Sequence, residues 1–179
     1  MLSFSLPRLY ILTGPVHSGK TSFLAAGIGE GLGKGARTLG YLSPAVWEAG
    51  SHAGYDLLPL AEGKATPFLR RGPGPGGPTA GPYHFIPGSL EAALEIIRRA
   101  GEGMTLIVDE IGPLELEGGG VGPAVEEALA RRKSPTLLVI REGLVEPFQA
   151  RIPDLATAVV FGVGDRFSLD TALGIGISD

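Results

Sequence analysis

Short apolar runs and helix-period stripes follow one another along most of this chain. Residues 8–13, Arg-Leu-Tyr-Ile-Leu-Thr, form an apolar run that ends at a glycine, the mark of a strand covered on both faces. From 21 to about 32, Leu24, Ile28 and Leu32 share one helical face, while Gly27, Gly29 and Gly31 weaken the case for the helix's full length. Residues 36–42 read as another strand. Ser89 is placed to cap a helix whose Leu90, Ala93, Leu94 and Ile97 recur at i, i+3, i+4, i+7. Glu91 falls in its first turn, Arg98 and Arg99 in its last, and Gly101 beyond. Residues 104–108, 136–140 and 158–163 are further apolar strands, and Pro123 opens a helix reaching about 132. Strands spaced by helices predict an α/β fold of three layers, a mainly parallel central sheet with helices on both faces.

The stretch 43–87 breaks this rhythm. It holds a strand pair at 55–60 and 66–69, then Gly72-Pro73-Gly74-Pro75-Gly76-Gly77-Pro78, which excludes a helix and an interior strand. We expect an irregular, lid-like insertion over 43–87 with a flexible Gly/Pro loop at 72–82. Too little chain precedes it for a second domain, so 1–179 reads as one domain. No internal repeat is present.

Composition narrows the picture. The chain has 179 residues, 44% of them hydrophobic, enough for a real core and too apolar for general disorder. No apolar run approaches the roughly 18 residues of a membrane span, and residues 1–8 lack the basic start and cleavage site of a signal peptide. A cytoplasmic protein is expected, a monomer or weak oligomer. There is no cysteine, which removes disulfides, thiolate metal sites and thiol catalysis. The formal charge of −4 argues against nucleic acid as a partner. Of the pairs Arg70-Arg71, Arg98-Arg99 and Arg131-Arg132, the last two fall at predicted helix ends, where they suit the dipole. Asn is absent and Gln149 is the single Gln, a bias compatible with a thermophilic source.

Candidate chemistry begins at Gly14-Pro15-Val16-His17-Ser18-Gly19-Lys20-Thr21, which fits G-x-x-x-x-G-K-[ST] at every fixed position. A triphosphate carries several negative charges, and backbone N–H groups must converge on them. Glycines allow the close approach and positive φ, and the helix that follows points its positive end at the same place. Lys20 is expected to reach the β- and γ-phosphates, the Thr21 hydroxyl to ligate Mg²⁺, and Ser22 to complete the nucleotide site. His17 is expected to contribute its backbone. His52 and His84 lack metal-ligand spacing, and Trp47 lies over the site or plugs the core.

The strand at 104–108 runs into Asp109-Glu110. In a phosphate-binding loop protein, an Asp at the tip of a strand neighbouring the first completes the Mg²⁺ shell, and the next acid polarises a water or an acceptor hydroxyl. Parallel strands bring their carboxyl ends to one edge, so Asp109 is expected near Thr21. A further cation should offset charge developing at the transferred phosphoryl group. Arg141, just after the strand at 136–140, is the best-placed candidate, and Arg70 and Arg71 could swing inward from the loop.

With both motifs in view, the chain resembles the P-loop nucleoside-triphosphatases of thermophiles, whose animal relative is the cancer-related nucleoside-triphosphatase. The resemblance rests on residues 14–21 and on Val108-Asp109-Glu110-Ile111-Gly112-Pro113-Leu114-Glu115-Leu116, with a similar middle segment at Ala49-Gly50, Gly54-Tyr55-Asp56-Leu57 and Leu60-Ala61-Glu62-Gly63. It covers about residues 8–166. It implies a RecA-like sheet and slow Mg²⁺-dependent hydrolysis of ATP, GTP and other nucleoside triphosphates. Lys20 and Thr21 would hold phosphates and metal, with Asp109 and Glu110 as acid partners. Two departures stand out. The family carries arginines where this chain reads Trp47-Glu48-Ala49-Gly50-Ser51-His52-Ala53-Gly54, and an Asn-Arg pair beside the base where it reads Gly164-Asp165-Arg166. Arg166 is carried over as a base contact.

Three functions follow. The first is nucleoside-triphosphate hydrolysis of broad base tolerance, since no Asn-Lys-x-Asp guanine signature occurs. The second is a small-molecule or nucleotide kinase, for which 43–87 would supply the acceptor pocket and lid. The third is a nucleotide-binding accessory protein with little turnover.

Overall fold

The structure is a computed structural model that describes residues 8–76, 78–152 and 157–175. The leading stretch 1–7 and Gly77 of the Gly/Pro run lie outside these residues. In chain order the first elements are β1 (Leu9–Gly14), α1 (Lys20–Gly33), β2 (Thr38–Leu42), β3 (Ala45–Glu48), β4 (Ser51–Pro59), β5 (Thr66–Arg71), β6 (Thr79–Ala80) and β7 (Tyr83–Phe85). There follow α2 (Ser89–Arg98), β8 (Thr105–Ile111), α3 (Pro113–Leu116), α4 (Gly122–Arg131), β9 (Thr136–Arg141), α5 (Val145–Arg151), β10 (Val159–Gly162) and α6 (Arg166–Ala172), with a 3₁₀ turn at Glu142–Leu144 before α5.

The apolar runs become five parallel strands in the order β10-β1-β9-β8-β2. Side chains of a strand alternate between its faces, and here both faces are covered. Leu9, Ile11, Leu106, Val108, Leu138 and Ile140 pack with Ala93 and Ile97 of α2, Val125 and Ala128 of α4 and Phe148 of α5. Tyr10, Leu12, Ile107, Leu137 and Val139 pack with Leu24 and Ile28 of α1 and Leu169 and Ala172 of α6. This is the three-layer α/β arrangement that the alternating pattern implies. One expectation is corrected: the strand carrying Asp109 is not the neighbour of β1, because β9 lies between them. All three strands are parallel, so their carboxyl ends still share one edge.

The segment 43–87 is more regular than expected. It extends the sheet with antiparallel strands: the end of β4 pairs with β2, its start with β3 and β5, and β7 joins β5 to β6. Bulges at Val46/Trp47 and Tyr55/Asp56 shift the register, which blurs the period-2 signal in sequence. Gly54 has φ 154°, and a Cβ there would come within 2.0 Å of the Leu69 carbonyl oxygen, so this close pairing of β4 and β5 requires glycine. Beside the Gly/Pro run, the Gly72 amide donates to the Pro82 carbonyl, His84 Nδ1 lies 2.9 Å from the Gly72 carbonyl, and Gly74 sits against the His84 ring.

One helix end differs from its sequence reading. Gly88, at φ 80°, caps α2, and Ser89 is its first helical residue, with its hydroxyl donating to the Phe68 carbonyl. Arg131 stands in the last turn of α4 and Arg132 follows it, as read from the sequence, and both guanidinium groups also reach the neighbouring loop. Arg131 donates to the carbonyls of Arg98 and Ala100 at the end of α2. Arg132, 2% exposed, donates to those of Gly101, Met104 and Pro135 and to the Thr136 hydroxyl.

Candidate functional site

Gly14 closes β1, α1 begins at Lys20, and the five residues between them wrap the helix N-terminus. Gly14 and Gly19 have φ of 150° and 84°, angles that side-chain-bearing residues rarely adopt. Gly19 caps α1 with no side-chain bond to the helix, so the first-turn N–H groups stay available to an anion. Lys20 is 8% exposed, and its ammonium donates to the carbonyls of Gly14 at 3.0 Å and Pro15 at 2.7 Å. Ser18 Oγ is buried with no partner among the described residues. A buried hydroxyl left alone costs about 1–3 kcal/mol, which suits a loop shaped around an oxyanion ligand. His17, at φ 60°, turns its ring toward Trp47 and His52, with centroids 5.8 and 5.7 Å apart.

The cradle opens into a cavity of about 400 Å³ whose wall includes Thr21, Ser43, Trp47, Tyr55, Asp109 and Glu110. Residues from β1–α1 and from β8 thus meet at the carboxyl edge of the sheet. Asp109 is 1% exposed. Its Oδ2 accepts from the Ser43 amide at 3.0 Å, and the Ser43 hydroxyl donates to the Asp109 carbonyl. Desolvation pushes the Asp109 carboxyl up to about 6, and the neighbouring Glu110 charge adds to the rise. The Ser43 amide, the Thr21 hydroxyl and Lys20 work the other way. Thr21 and Asp109 are therefore neighbours. A hydroxyl and a carboxylate beside a phosphate cradle form an oxygen donor set that suits Mg²⁺, which takes a carboxylate or two and fills its remaining positions with phosphate oxygens and water.

Glu110 lies where the pairing of β8 with β9 skips a residue, between Asp109 opposite Val139 and Ile111 opposite Ile140. Such a bulge re-aims a side chain. Glu110 accepts from Arg141 Nε at 2.5 Å. Arg141 ends β9 directly opposite Gly14, so Arg141 and Glu110 both stand at the cradle's edge and are paired with each other.

Other candidates lie elsewhere. Arg70 is held by the Tyr55 carbonyl at 2.7 Å and by Asp56 at 2.6 Å, contacts it would have to give up to swing inward. Arg71 lies over the Tyr83 ring. Arg166 pairs with Glu30 and Asp170 at 2.7 and 2.8 Å. Glu30 is ten residues along α1 from Lys20, roughly 15 Å at the helical rise, so the structure does not bring the Arg166 guanidinium to the cradle. Asp165 caps α6 through the Ser168 amide and hydroxyl, which accounts locally for the Asp-Arg pair. Trp47 is 57% exposed and lies at the cradle's rim, not in the core. Sequence reasoning missed Ser43 and Tyr55. Ser43 directly follows β2, and Tyr55 lies within β4 opposite Ala45 of β3 and Leu69 of β5; neither residue type at those places signals a site in sequence.

The fold and motifs have counterparts in known proteins. A family described as NTPase matches residues 9–166. The nucleoside-triphosphatase THEP1 of Methanopyrus kandleri is 32% identical over 138 residues, covering 76% of this chain and 75% of that protein. The THEP1 of Hyperthermus butylicus is 29% identical over 139 residues, covering 77% and 73%. The crystal structure of THEP1 from the hyperthermophile Aquifex aeolicus superposes with a TM-score of 0.70 at 24% identity over 92% of this chain and 96% of that one, a likeness of fold. The solution structure of a human cancer-related nucleoside triphosphatase gives 0.67 at 26% identity over 92% and 93%. With its phosphate loop, acidic strand end and sheet order all inside the matched span, the chain belongs to this NTPase family and is a nucleoside-triphosphatase enzyme of P-loop, RecA-like fold.

Proposed function

We propose that the chain is one nucleotide-binding domain that hydrolyses ATP, GTP and related triphosphates to the diphosphate and phosphate with Mg²⁺. The observation that carries this reading is the meeting of Thr21 and Asp109 beside the Lys20 cradle. The amides of 14 and 16–19 and Ser18 Oγ bind phosphate oxygens, with Ser22 beside them in the first turn of α1. Lys20 exchanges its loop carbonyls for the β- and γ-phosphates. Thr21 and Asp109 would hold Mg²⁺, which when bound would supply positive charge against the oxygens that gain negative charge in transfer. Arg141 is drawn toward the γ-phosphate, and Glu110, released from it, takes a proton from the attacking water. The bond from γ-phosphorus to its bridging oxygen breaks, and its electrons leave with the diphosphate. Arg166 contacts a base only by giving up Glu30 and Asp170. A cytoplasmic monomer or weak oligomer without a nucleic-acid partner fits the acidic chain, and no helix among the described residues is long and apolar enough to cross a membrane.

The test is phosphate release across several nucleoside triphosphates with and without Mg²⁺. Release that needs Mg²⁺ and tolerates several bases supports the reading. Glu110→Gln is expected to keep nucleotide affinity and to lose about 10²-fold or more in turnover. Lys20→Ala is expected to lose binding. An unchanged rate in Glu110→Gln removes Glu110 as the base.

A further inference from the structure

A second cavity, of about 190 Å³, lies on the far side of Glu110 from the cradle. Ser43, Tyr55 and Glu110 line both spaces, so the two meet at these residues. The second cavity is built largely by the added strands of 43–87. Its rings include Tyr41, Tyr55, Phe68, Tyr83 and Phe85, several in edge-on contact: Tyr41 with Phe68, Phe68 with Phe85, and Tyr55 with Tyr83, at 6.0, 5.4 and 5.6 Å. Its charged groups are Glu110, Glu115 and Arg141. A site that needs only water gains nothing from an aromatic chamber beside its base. Such a wall binds the apolar body of an organic molecule, and a few polar groups fix its orientation.

We infer that this cavity takes a phosphoryl acceptor: a small neutral or singly cationic molecule bearing a ring and a free hydroxyl. The inference rests on the cradle holding a nucleoside triphosphate as proposed above. Size limits the acceptor to one or two rings, since the cavity is below the roughly 300–1,000 Å³ of drug-sized sites. Charge limits it further. Two carboxylates face one guanidinium, and that guanidinium is already bonded to Glu110. Glu115 is fixed by the Gly112 amide at 2.9 Å, so its charge stays in the wall. A nucleotide acceptor carries a phosphate that needs several cations, and this wall repels it. The Tyr41 phenol is kept protonated by burial and by Glu115 and Asp109, leaving it a donor to a neutral acceptor. In the step itself, the acceptor oxygen bonds to γ-phosphorus as the bond to the bridging oxygen breaks. The diphosphate leaves with the electron pair, and the hydroxyl proton passes to Glu110.

The experiment uses the full chain with Mg·ATP and two probes, 4-(aminomethyl)benzyl alcohol and the anionic 4-(hydroxymethyl)benzoate. Saturation-transfer NMR reads contact with the protein, and ³¹P NMR reads the products. With the cationic alcohol, contact is expected together with a new phosphomonoester signal, and free phosphate falls short of ADP. The benzoate is expected to give neither. Ala80→Phe, which fills the cavity from the β6 edge, is expected to lose contact and ester while Mg·ADP binding by calorimetry shows the variant folded; the two probes on the unmodified chain test the inference without it. One phosphate released per ADP, with no ester from the cationic alcohol, overturns the inference and leaves the hydrolase reading standing. If calorimetry finds no binding of Mg·ATP, both readings fall together, and that result is told apart from the first by its own measurement.

Discussion

A carboxyl as deeply buried as Asp109 loses most of its hydration, and three favourable neighbours do not restore it. Its pKa of about 6 stands above the roughly 3.9 of an unfolded aspartate. Between about pH 4 and 6 the folded chain holds a proton that the unfolded chain has released. The stability this proton brings is complete below pH 4 and gone once the pH has risen past 6, a change on the order of 3 kcal/mol. In metal-free buffer, thermal unfolding of the unmodified chain should fall across that window more steeply than that of Asp109→Asn, which cannot ionise there. Parallel curves for the two proteins would show that Asp109 titrates as an ordinary exposed acid. Ser43 holds this carboxylate through its backbone amide, a contact that side-chain chemistry in a sequence does not announce.

At the scale of elements, the glycines of α1 are the clearest case of sequence and structure informing each other. Three internal glycines weaken a helix by propensity, yet α1 runs the full 14 residues from Lys20 to Gly33. Packing supplies what propensity lacks. A Cβ on Gly27 would meet Leu169 Cδ2 at 2.3 Å and one on Gly31 would meet Ile175 Cδ1 at 2.8 Å, whereas one on Gly29 meets nothing within 4 Å. Gly27→Val should therefore cost about 1–3 kcal/mol by overpacking against α6, and Gly29→Ala should be neutral or stabilising by up to about 1 kcal/mol. Chemical denaturation of both variants checks the pair, and equal losses would mean that α6 does not press on Gly27.

The same contrast explains what sequence could tell. The buried parallel strands were legible because both of their faces are apolar, and the cradle because its spacing is dictated by phosphate geometry. The strands β3 to β7 were mostly hidden by bulges, by Gly54 and by prolines. The short helices α3, α5 and α6 carry too few turns to show a period. The pairing of Arg166 with Glu30, 136 positions away in the chain, was not legible either, since distant pairing leaves no local trace.

Across the whole molecule, Arg132 acts at the edge opposite the site. One buried guanidinium gathers the loop after α2, the start of β8 and the start of β9, and its own carbonyl accepts from Arg8 beside β1. Arg132→Met keeps the bulk and removes the donors, leaving three part-buried carbonyls and the buried Thr136 hydroxyl without this partner. A loss of about 3 kcal/mol or more is expected, with nucleotide affinity unchanged in the fraction that remains folded. Denaturant midpoint and calorimetry on the same sample separate these effects, and a midpoint equal to that of the unmodified chain would mean that water serves those carbonyls just as well.

The rim of the cradle has an optical consequence. Trp47 is the sole tryptophan of the chain, and its indole leans on the His17 ring, so any ligand that re-seats the phosphate loop alters the surroundings of the one dominant fluorophore. The protein thus carries a built-in emission gauge of occupancy, readable without dye or label, and a titration with Mg·ADP followed at that wavelength should trace the same saturation curve as calorimetry.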